Sequence, residues 1–308
     1  MHAFPQQDQA SVPVSEGYVP FGDHRTWWRV VGDLDSGRPP LLLLHGGPGS
    51  THNYFEVLDH LSGETGRAFV SYDQLGCGNS FVDGRPDLWV AETWVAELEN
   101  LRERLGLSRV HLLGQSWGGM LALTYLLDRD PQGVCSVVLS STLSDSRLWG
   151  REQHRMARQL PADQLEALEW AEATGDYTSP AYLAVLDRYM RLHCADTSYG
   201  PDAPECLRRP KRSGVEPYRV AWGPDELTPT GTLASWTCTD RLQTIATPAL
   251  VISGTDDLCT PLIAKTMADR LPHARWELME GCRHMCYVDN HEAYCHLLAG
   301  WLDRHDPE

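Results

Sequence analysis

The chain has 308 residues, of which 42% are hydrophobic and 22% charged, and its 42 acidic and 26 basic residues give a formal net charge of −16. The length suits one large domain or a domain with an insertion, and the composition is that of an ordinary globular protein. The acidic balance argues against binding to nucleic acid or to anionic membranes, because both need basic surface patches.

Neither membrane insertion nor secretion is indicated. No apolar stretch approaches the roughly 18 residues that a membrane-spanning helix needs. The first ten residues, MHAFPQQDQA, lack the basic start and apolar run of a signal peptide. The nine cysteines are an odd number without a paired CxxC framework. We therefore expect a cytoplasmic protein with reduced thiols.

Short apolar runs that predict strands alternate along the chain with stretches of helical periodicity. The predicted strands are Thr26–Val31, Pro40–His45, Ala68–Tyr72, Arg109–Leu113, Val134–Ser140, Ala249–Ser253 and Ala274–Met279. The predicted helices are Asn53–Leu61, Thr93–Leu105, Gly118–Asp128, Leu262–Leu271 and Glu292–Arg304. Strands two to six are mostly continuous apolar runs, as expected for strands covered on both faces. The alternation predicts an α/β fold with a mostly parallel sheet flanked by helices.

One long interval, from about Leu143 to Leu242, has no convincing strand. Helical periodicity occurs there at Arg151–Leu160, Asp163–Thr174 and Pro180–Leu192, and loops rich in Pro and Gly follow. A structureless loop of this length is implausible inside a compact domain. We therefore predict that residues 143–242 form a helical cap over a core domain made of residues 1–142 and 243–308.

The pentapeptide Gly114-Gln115-Ser116-Trp117-Gly118 lies between a predicted strand and a predicted helix. A G-x-S-x-G sequence in this context is typical of a nucleophile elbow. Glycine is needed at its two ends because side chains there would collide with neighbouring backbone at so sharp a turn. The serine at the tip lies near the N-terminus of the next helix, where negative charge is favoured. Ser116 is the predicted nucleophile.

A serine nucleophile needs a general base and an acid that orients the base. In this architecture they follow the serine in the order Asp or Glu, then His. The sixth predicted strand leads into a loop with Asp256 and Asp257, and the seventh leads into a loop with His284. Both loops lie at the carboxyl ends of strands, the same edge as Ser116. His284 is therefore the predicted base, while this pattern leaves both aspartates open.

Two cysteines flank that histidine in the segment Cys282-Arg283-His284-Met285-Cys286. A metal cluster is one interpretation of such a segment. Because no second ligand pair at suitable spacing accompanies it, packing cysteines around a functional histidine are the better interpretation. No metal or organic cofactor is expected.

The first long apolar run ends in the turn His45-Gly46-Gly47-Pro48-Gly49. A tetrahedral intermediate needs backbone N–H donors directed at its oxyanion. The amide after the nucleophile, that of Trp117, should supply one, and an early strand-to-helix loop should supply the other. Glycine lets backbone approach a reacting carbonyl closely. Gly46, Gly47 and Trp117 are therefore the predicted oxyanion-hole residues.

Three blocks together resemble the proline iminopeptidase family, a branch of the α/β-hydrolases that also contains amino-acid amidases. They are HGGPG at 45–49, DQLGCGNS at 73–80 and GQSWGG at 114–119. The likeness runs from about Gly22 to Trp301. It implies an α/β-hydrolase fold, a chiefly structural role for the second block, and a catalytic aspartate three residues after the glycine of a G-x-x-D turn. Counted from Gly254, that aspartate is Asp257.

A segment of the predicted cap, WGPDELTPTG at 222–231, resembles the part of this family that carries a glutamate for the substrate's free α-amino group. The match falls on Glu226, and a carboxylate is the partner that an ammonium needs in a partly dry pocket. An exposed loop glutamate is the alternative. Leu227 replaces the usual aromatic and the W-x-x-W-E arrangement of typical bacterial caps is absent, so strict proline specificity does not follow. A second amine-binding acid is left open among Asp187, Glu205, Glu216 and Asp225.

These residues predict a serine hydrolase that cleaves an N-terminal amino acid, proline or another small or apolar residue, through an acyl-enzyme. The expected partner is a small peptide or amino-acid amide. One alternative is an esterase, amidase or acyl-transferring enzyme of specialised metabolism with the same triad. The other is a non-catalytic receptor that keeps the hydrolase shell. Fold relatives with an aspartate nucleophile are disfavoured by Ser116.

Overall fold

The computed structural model describes residues 12–196 and 198–307, so the first ten residues, whose sequence lacks a signal-peptide pattern, lie outside the described residues. Eight strands form one sheet in the order β1-β2-β4-β3-β5-β6-β7-β8. They are β1 Val14–Phe21, β2 His24–Val31, β3 Leu41–Leu44, β4 Phe69–Asp73, β5 Val110–Gln115, β6 Val134–Ser140, β7 Ala249–Gly254 and β8 Ala274–Met279. The pairs β1–β2 and β2–β4 are antiparallel, and the other pairs are parallel.

Helices connect most of these strands. In chain order the α-helices are α1 His60–Thr65, α2 Ala91–Arg104, α3 Trp117–Arg129, α4 Ser146–Ala157, α5 Ala162–Thr174, α6 Pro180–His193, α7 Glu205–Arg208, α8 Val215–Ala221, α9 Pro261–Ala268, α10 Cys286–Asp289 and α11 His291–Arg304. Short 3₁₀ helices lie at His52–Leu58, Gly78–Ser80, Pro86–Leu88 and Thr239–Thr244. None of the helices in the described ranges has the length and apolarity to cross a bilayer.

The leucines of β3 show how the sheet is covered on both faces. Leu42 and Leu44 belong to one buried cluster, which includes Trp94 of α2. Leu41 and Leu43 belong to a second buried cluster on the other face. Successive side chains of a strand point to opposite faces, so a continuous apolar run is what a doubly covered strand requires. The predicted α/β-hydrolase fold, with a mostly parallel sheet between helical layers, is confirmed.

The predicted helix Asn53–Leu61 is wrong in its type and extent. The chain forms a 3₁₀ helix over His52–Leu58, and α1 begins only at His60. The backbone amide of His52 donates to Oδ1 of Asp73 at 3.0 Å, and its Nδ1 donates to the same oxygen at 2.7 Å. This tertiary contact holds the start of the segment, and local periodicity does not encode it.

Strand β1 was not predicted from the sequence. Its eight residues, VSEGYVPF, contain a glycine and a proline, and only Val19 is buried. The strand pairs with β2 at the edge of the sheet, with Val14 beside Val31 and Phe21 beside His24. Edge strands tolerate proline and need no continuous apolar run, so the pattern that identified the inner strands is missing here.

Five helices, α4 to α8, occupy the interval between β6 and β7, in which the described residues include no further strand. Helices α4, α5 and α6 correspond to the three predicted helical stretches. Near the two ends of the interval Asp145 and Thr237 form an isolated antiparallel bridge. The division of the chain into a core and a cap stays a prediction.

Candidate active site

Ser116 lies at the tip of the sharp turn between β5 and α3. Its φ and ψ are 55° and −123°, a region that side-chain-bearing residues rarely adopt. Its backbone amide donates to the carbonyl of Ser140 at 3.0 Å, and its own carbonyl accepts from the hydroxyl of Thr142 at 2.6 Å. These bonds to the end of β6 hold the turn in place.

The glycines on either side of this serine are sterically required. A Cβ atom at Gly114 would lie 2.3 Å from the carbonyl oxygen of Gly118. A Cβ atom at Gly118 would lie 1.9 Å from the carbonyl oxygen of Leu44 at the end of β3. Both distances are far below van der Waals contact, so a side chain at Gly114 would push the start of α3 away from β5, and one at Gly118 would push it away from β3. The observed geometry has the form of a nucleophile elbow.

His284 is joined to Asp257 by a short hydrogen bond. Nδ1 of the histidine donates to Oδ1 of the aspartate at 2.6 Å, because an ionised carboxylate can only accept. The Asp257 carboxylate is fully buried and also accepts the backbone amide of Cys259 at 2.8 Å. Asp256 has an exposed side chain, and its carbonyl accepts from Nδ1 of His193. The structure thus brings Asp257, and not Asp256, to the histidine.

The loops that carry this pair are tied together by one carbonyl at the end of α6. The carbonyl oxygen of His193 accepts the backbone amide of Leu258 at 3.2 Å and that of His284 at 3.0 Å. The indole of Trp149 from α4 packs edge-on against the imidazole of His284, with ring centroids 5.8 Å apart. Helices from the interval between β6 and β7 therefore help to position the histidine.

A cavity of about 470 Å³ contains Ser116 and His284 on its wall. The turn at residues 46–50 forms one side of it. Tyr218 of α8 and Glu226, which follows α8, form another side. His284, the histidine of the Cys282–Cys286 segment, lines this cavity. Its Nδ1 is hydrogen-bonded to the carboxylate of Asp257 and not to a cysteine.

In the turn that follows β3, the amides of Gly46 and Gly47 differ in whether they have an acceptor. The N–H of Gly46 donates to the hydroxyl of Tyr54 at 2.6 Å, and that hydroxyl donates to Oε1 of Gln115 at 2.9 Å. Within residues 12–196 and 198–307, the N–H groups of Gly47 and Trp117 have no acceptor. Gly46 therefore contributes to the shape of the turn, while Gly47 and Trp117 are left as the candidate oxyanion donors.

His45, the first residue of that turn, is a neutral structural histidine. Burial lowers the pKa of His45 to about 4. Its Nδ1 donates to the carbonyl of Gly46 at 2.9 Å, and its Nε2 accepts the backbone amide of Gln74 at 3.0 Å. The side chain of Gln74 also accepts from the indole of Trp117 at 2.8 Å. The DQLGCGNS block thus joins the turn to the nucleophile elbow, in agreement with a structural role.

Glu226 faces the cavity from the loop after α8. Its Oε1 accepts from the hydroxyl of Tyr218 at 2.8 Å, and its carbonyl accepts from the indole of Trp149 at 2.7 Å. Burial raises the pKa of Glu226, while the Tyr218 hydroxyl and the nearby His284 oppose that rise. The alternative of an exposed loop glutamate does not fit a side chain held in this way.

The four carboxylates left open as a second amine-binding acid are not on the wall of this cavity, as far as the described residues go. Each is bonded to another group: Asp187 to Arg191, Glu205 to Arg209, Glu216 to Trp89 and Asp225 to Tyr182. Glu226 is the carboxylate that the cavity offers to a cation.

Sequence reasoning missed three residues that shape this cavity, namely Tyr54, Gln115 and Tyr218. Gln115 is the first variable position of the G-x-S-x-G sequence, so its place beside the serine could have been noted. The two tyrosines gave no such signal, because their hydroxyls reach Gly46 and Glu226 only through the tertiary fold.

Residues 39–291 match the α/β hydrolase fold family. A proline iminopeptidase of Clostridioides difficile strain 630 is 52% identical over 95% of this chain and 99% of its own length. A proline iminopeptidase of Levilactobacillus brevis is 54% identical over 95% of this chain and 98% of its own. This similarity spans nearly the whole of both proteins.

Solved structures show the same similarity. The proline iminopeptidase of Mycobacterium smegmatis has a TM-score of 0.83 and 34% identity over 94% of this chain and 98% of its own. The structure of VinJ has a TM-score of 0.86 and 32% identity over 94% of this chain and 99% of its own. The resemblance inferred from the three sequence blocks is confirmed, as is the prediction of a hydrolase. The chain therefore belongs to the α/β hydrolase fold family and, within it, to the family of the proline iminopeptidases.

Proposed function

We propose that this chain is a serine aminopeptidase that removes an N-terminal residue, proline or another small or apolar amino acid, from short peptides and amino-acid amides. One observation carries the proposal. Ser116 and the His284 imidazole, which donates to Asp257 at 2.6 Å, lie on the same cavity wall as the carboxylate of Glu226. The proline iminopeptidases of Clostridioides difficile and Levilactobacillus brevis, at 52% and 54% identity, support the same class of activity.

In the first half of the reaction, Nε2 of His284 takes the proton from Oγ of Ser116. The oxygen attacks the carbonyl carbon of the scissile amide, and the carbonyl π electrons move onto its oxygen. Asp257 holds the imidazole in the tautomer with a proton on Nδ1 and stabilises the imidazolium that forms. The amides of Gly47 and Trp117 donate to the oxyanion.

In the second half, the tetrahedral intermediate collapses and the C–N bond breaks. His284 gives its proton to the leaving amine, which departs as the shortened peptide or as ammonia. An acyl-enzyme remains, with the N-terminal residue esterified to Ser116. Water, deprotonated by the same imidazole, attacks the ester and releases the free amino acid.

Glu226 selects substrates with a free amino terminus. An ammonium group that enters a partly dry cavity loses hydration, and a carboxylate placed there offsets that loss. Because the cavity is only about 470 Å³, it suits one small residue and its neighbour rather than a long folded segment. An N-acetylated residue has no positive charge for this carboxylate, which would then keep only its hydrogen bond from Tyr218 and have no cation beside it.

The proposal is tested with prolyl- and alanyl-arylamides, each in free and in N-acetylated form. We expect the free substrates to be preferred by roughly 10-fold to 100-fold in kcat/KM, the range of a charged hydrogen bond. Ser116→Ala should abolish turnover, and Glu226→Gln should remove most of the preference. Glu205→Gln is the matched control, since Glu205 pairs with Arg209 away from the cavity.

Two outcomes would overturn the proposal. Preference of the wild-type protein for N-acetylated substrates would favour an esterase or amidase that acts on acyl groups without an amine. Absence of turnover on every substrate, with unchanged folding, would favour a ligand receptor.

A further inference from the structure

Lys211 lies on the wall of the catalytic cavity, in the segment between α7 and α8. It is one of two lysines in the chain, the other being Lys265. Its Nζ lies 5.6 Å from the ring centroid of Tyr54. Tyr54 is the residue whose hydroxyl accepts the amide of Gly46. The ammonium therefore lies beside the turn that carries the candidate oxyanion donor, whereas Glu226 lies beside Tyr218 and His284.

The charge of Lys211 has no carboxylate partner in the part of the chain that the structure describes. Part of its side chain is exposed, yet burial lowers the pKa of its ammonium, and the thiols of Cys206 and Cys194 oppose that shift only in part. This is unusual in a chain with 42 acidic and 26 basic residues. An unpaired cation in a partly dry cavity is a binding group for an anion.

A second, more polar cavity of about 660 Å³ adjoins the first, and Lys211 lines both. Its wall includes two arginines whose guanidinium groups stack on aromatic rings, Arg25 on Tyr18 and Arg212 on Phe81. Arginines and Lys211 thus outnumber the one acidic residue of this wall, Asp73, which is bonded to His52. This space can hold the part of a substrate that extends away from Glu226.

We propose that Lys211 binds a carboxylate on the leaving-group part of the substrate, so that the enzyme prefers short peptides with a free C-terminus. The inference rests on the proposed function, in which Glu226 takes the substrate's ammonium. The cavity, which Arg219 also lines, would then hold Glu226 for the ammonium and Lys211 for the carboxylate of a dipeptide or tripeptide. An acidic side chain on the second residue offers the same chemistry, and substrates can distinguish the two sources.

The test measures kcat and KM for five substrates, of which the first four are prolyl-alanine, prolyl-alanine amide, prolyl-asparagine amide and the prolyl-arylamide with its neutral leaving group. A fifth, prolyl-aspartate amide with a free side chain, reports on an acidic side chain. Lys211→Met should lower kcat/KM for prolyl-alanine by roughly 10-fold to 100-fold, chiefly through KM. The neutral substrates should change less than about twofold, the scale of an uncharged contact.

Lys265→Met is the matched control, because it removes the same charge from the exposed Lys265–Asp269 pair, and neither residue lines the cavity. Lys211→Arg should restore most of the preference for prolyl-alanine. If Lys211→Met loses kcat/KM only on prolyl-alanine, the group that binds is the α-carboxylate. If it loses as much kcat/KM on prolyl-aspartate amide, a side-chain carboxylate also binds. Unchanged kinetics, or an equal loss on all substrates including the arylamide, would overturn the proposal.

A binding measurement separates this inference from the proposed function. In Ser116→Ala, prolyl-alanine should slow the reaction of Lys211 with trinitrobenzenesulfonate, measured by peptide mass spectrometry against Lys265 in the same sample. Prolyl-alanine amide should not. Protection in a protein that proves to have no aminopeptidase activity would keep the carboxylate site and reject the function. Absence of protection would reject the site.

Discussion

The N–H of Gly46 donates a 2.6 Å hydrogen bond to the hydroxyl of Tyr54, and this bond fixes the orientation of the turn beside Ser116. The same hydroxyl donates to Gln115, the residue before the serine. One tyrosine therefore links the turn after β3 to the elbow after β5. Because the Gly46 amide is occupied, we propose the N–H of Gly47 as the oxyanion donor of this turn.

Gly47→Ala should leave the protein folded and slow its turnover strongly. Gly47 has a φ of 117°, and a Cβ atom there would lie 2.5 Å from the backbone nitrogen of Gly49. The peptide would have to move, which costs of order 1–3 kcal/mol in the free energy of unfolding. Misdirecting one oxyanion donor should lower kcat by about 100-fold or more. Steady-state kinetics and urea unfolding of the same samples provide the two measurements.

Gly37→Ala is the control for backbone strain alone. Gly37 also has a positive φ, 84°, and a Cβ atom there meets nothing within 4 Å. We expect a loss of about 1–2 kcal/mol in stability with kcat unchanged. If Gly47→Ala turned over substrate as fast as the wild type, the turn would have no role as an oxyanion donor.

Asp257→Asn should lower kcat by about four orders of magnitude, because the histidine would lose the carboxylate that fixes its tautomer. The neighbouring Asp256→Asn is the control, since the Asp256 side chain is exposed and Asp257 is the one bonded to His284. Kinetics on a prolyl-arylamide compare the two variants. Equal losses in both, or a larger loss in Asp256→Asn, would contradict the assignment.

The preference for a free amino terminus that Glu226 gives should be lost on acidification, at a pH above the usual pKa of a glutamate. In the proposed function the carboxylate form binds the substrate's ammonium, and burial raises the pKa of Glu226 above its ordinary value of 4.5. As the pH falls through this raised pKa, Glu226 is protonated and loses its attraction for the ammonium. The ratio of kcat/KM between wild type and Glu226→Gln should therefore fall as the pH is lowered.

Tyr218→Phe gives a second check on the same group. The Tyr218 hydroxyl stabilises the Glu226 carboxylate through a 2.8 Å hydrogen bond and so opposes the rise in its pKa. Without that bond, the acid-side fall in activity should move to higher pH. A shift to lower pH, or a wild-type to Glu226→Gln ratio that stays constant with pH, would contradict the role of Glu226.

The buried pair of His52 and Asp73 should make stability depend on pH on the alkaline side. Burial alone would lower the pKa of His52, but its contacts with Asp73 and Glu56 outweigh burial and raise it to about 8. The unfolded chain has a histidine pKa near 6.5. The resulting stability is fully present below pH 6.5 and is lost as the pH rises through 8.

The size of that effect is about 2 kcal/mol, because the pKa of His52 is about 8 in the fold and 6.5 in the unfolded chain. His52→Gln removes the titrating group, so the difference in unfolding free energy between wild type and variant should narrow by about this amount from pH 6 to pH 9. Denaturant unfolding at the two pH values measures it. A difference that stays constant would show that the histidine is not charged in the fold.

Much of the fold could be predicted because its information is local. The leucines of β3 and the strands next to it are apolar on both faces, and the glycines beside Ser116 mark a turn that no other residue fits. The edge strand β1 lacked such a pattern, since only Val19 is buried along it. The 3₁₀ helix at His52–Leu58 depends on a bond to Asp73 that lies 21 residues away.

In the site, too, some features are encoded locally and others depend on contacts between distant segments. The positions of Ser116 and His284 at strand ends could be inferred from chain order, because parallel strands bring their carboxyl ends to one edge. The choice between the two aspartates needed the family resemblance, since both follow the same strand. The occupied amide of Gly46 and the tyrosine that holds Glu226 depend on side chains from distant segments, so no spacing rule could reveal them.

The account is tested most directly by treating the protein with a fluorophosphonate, which reacts with activated serines, and locating the adduct by peptide mass spectrometry. The central claim predicts a single adduct on Ser116 that forms in step with the loss of prolyl-arylamide hydrolysis. It also predicts no adduct in Ser116→Ala. An unlabelled wild-type protein that hydrolyses the arylamide, or inactivation by an adduct on another residue, would contradict it.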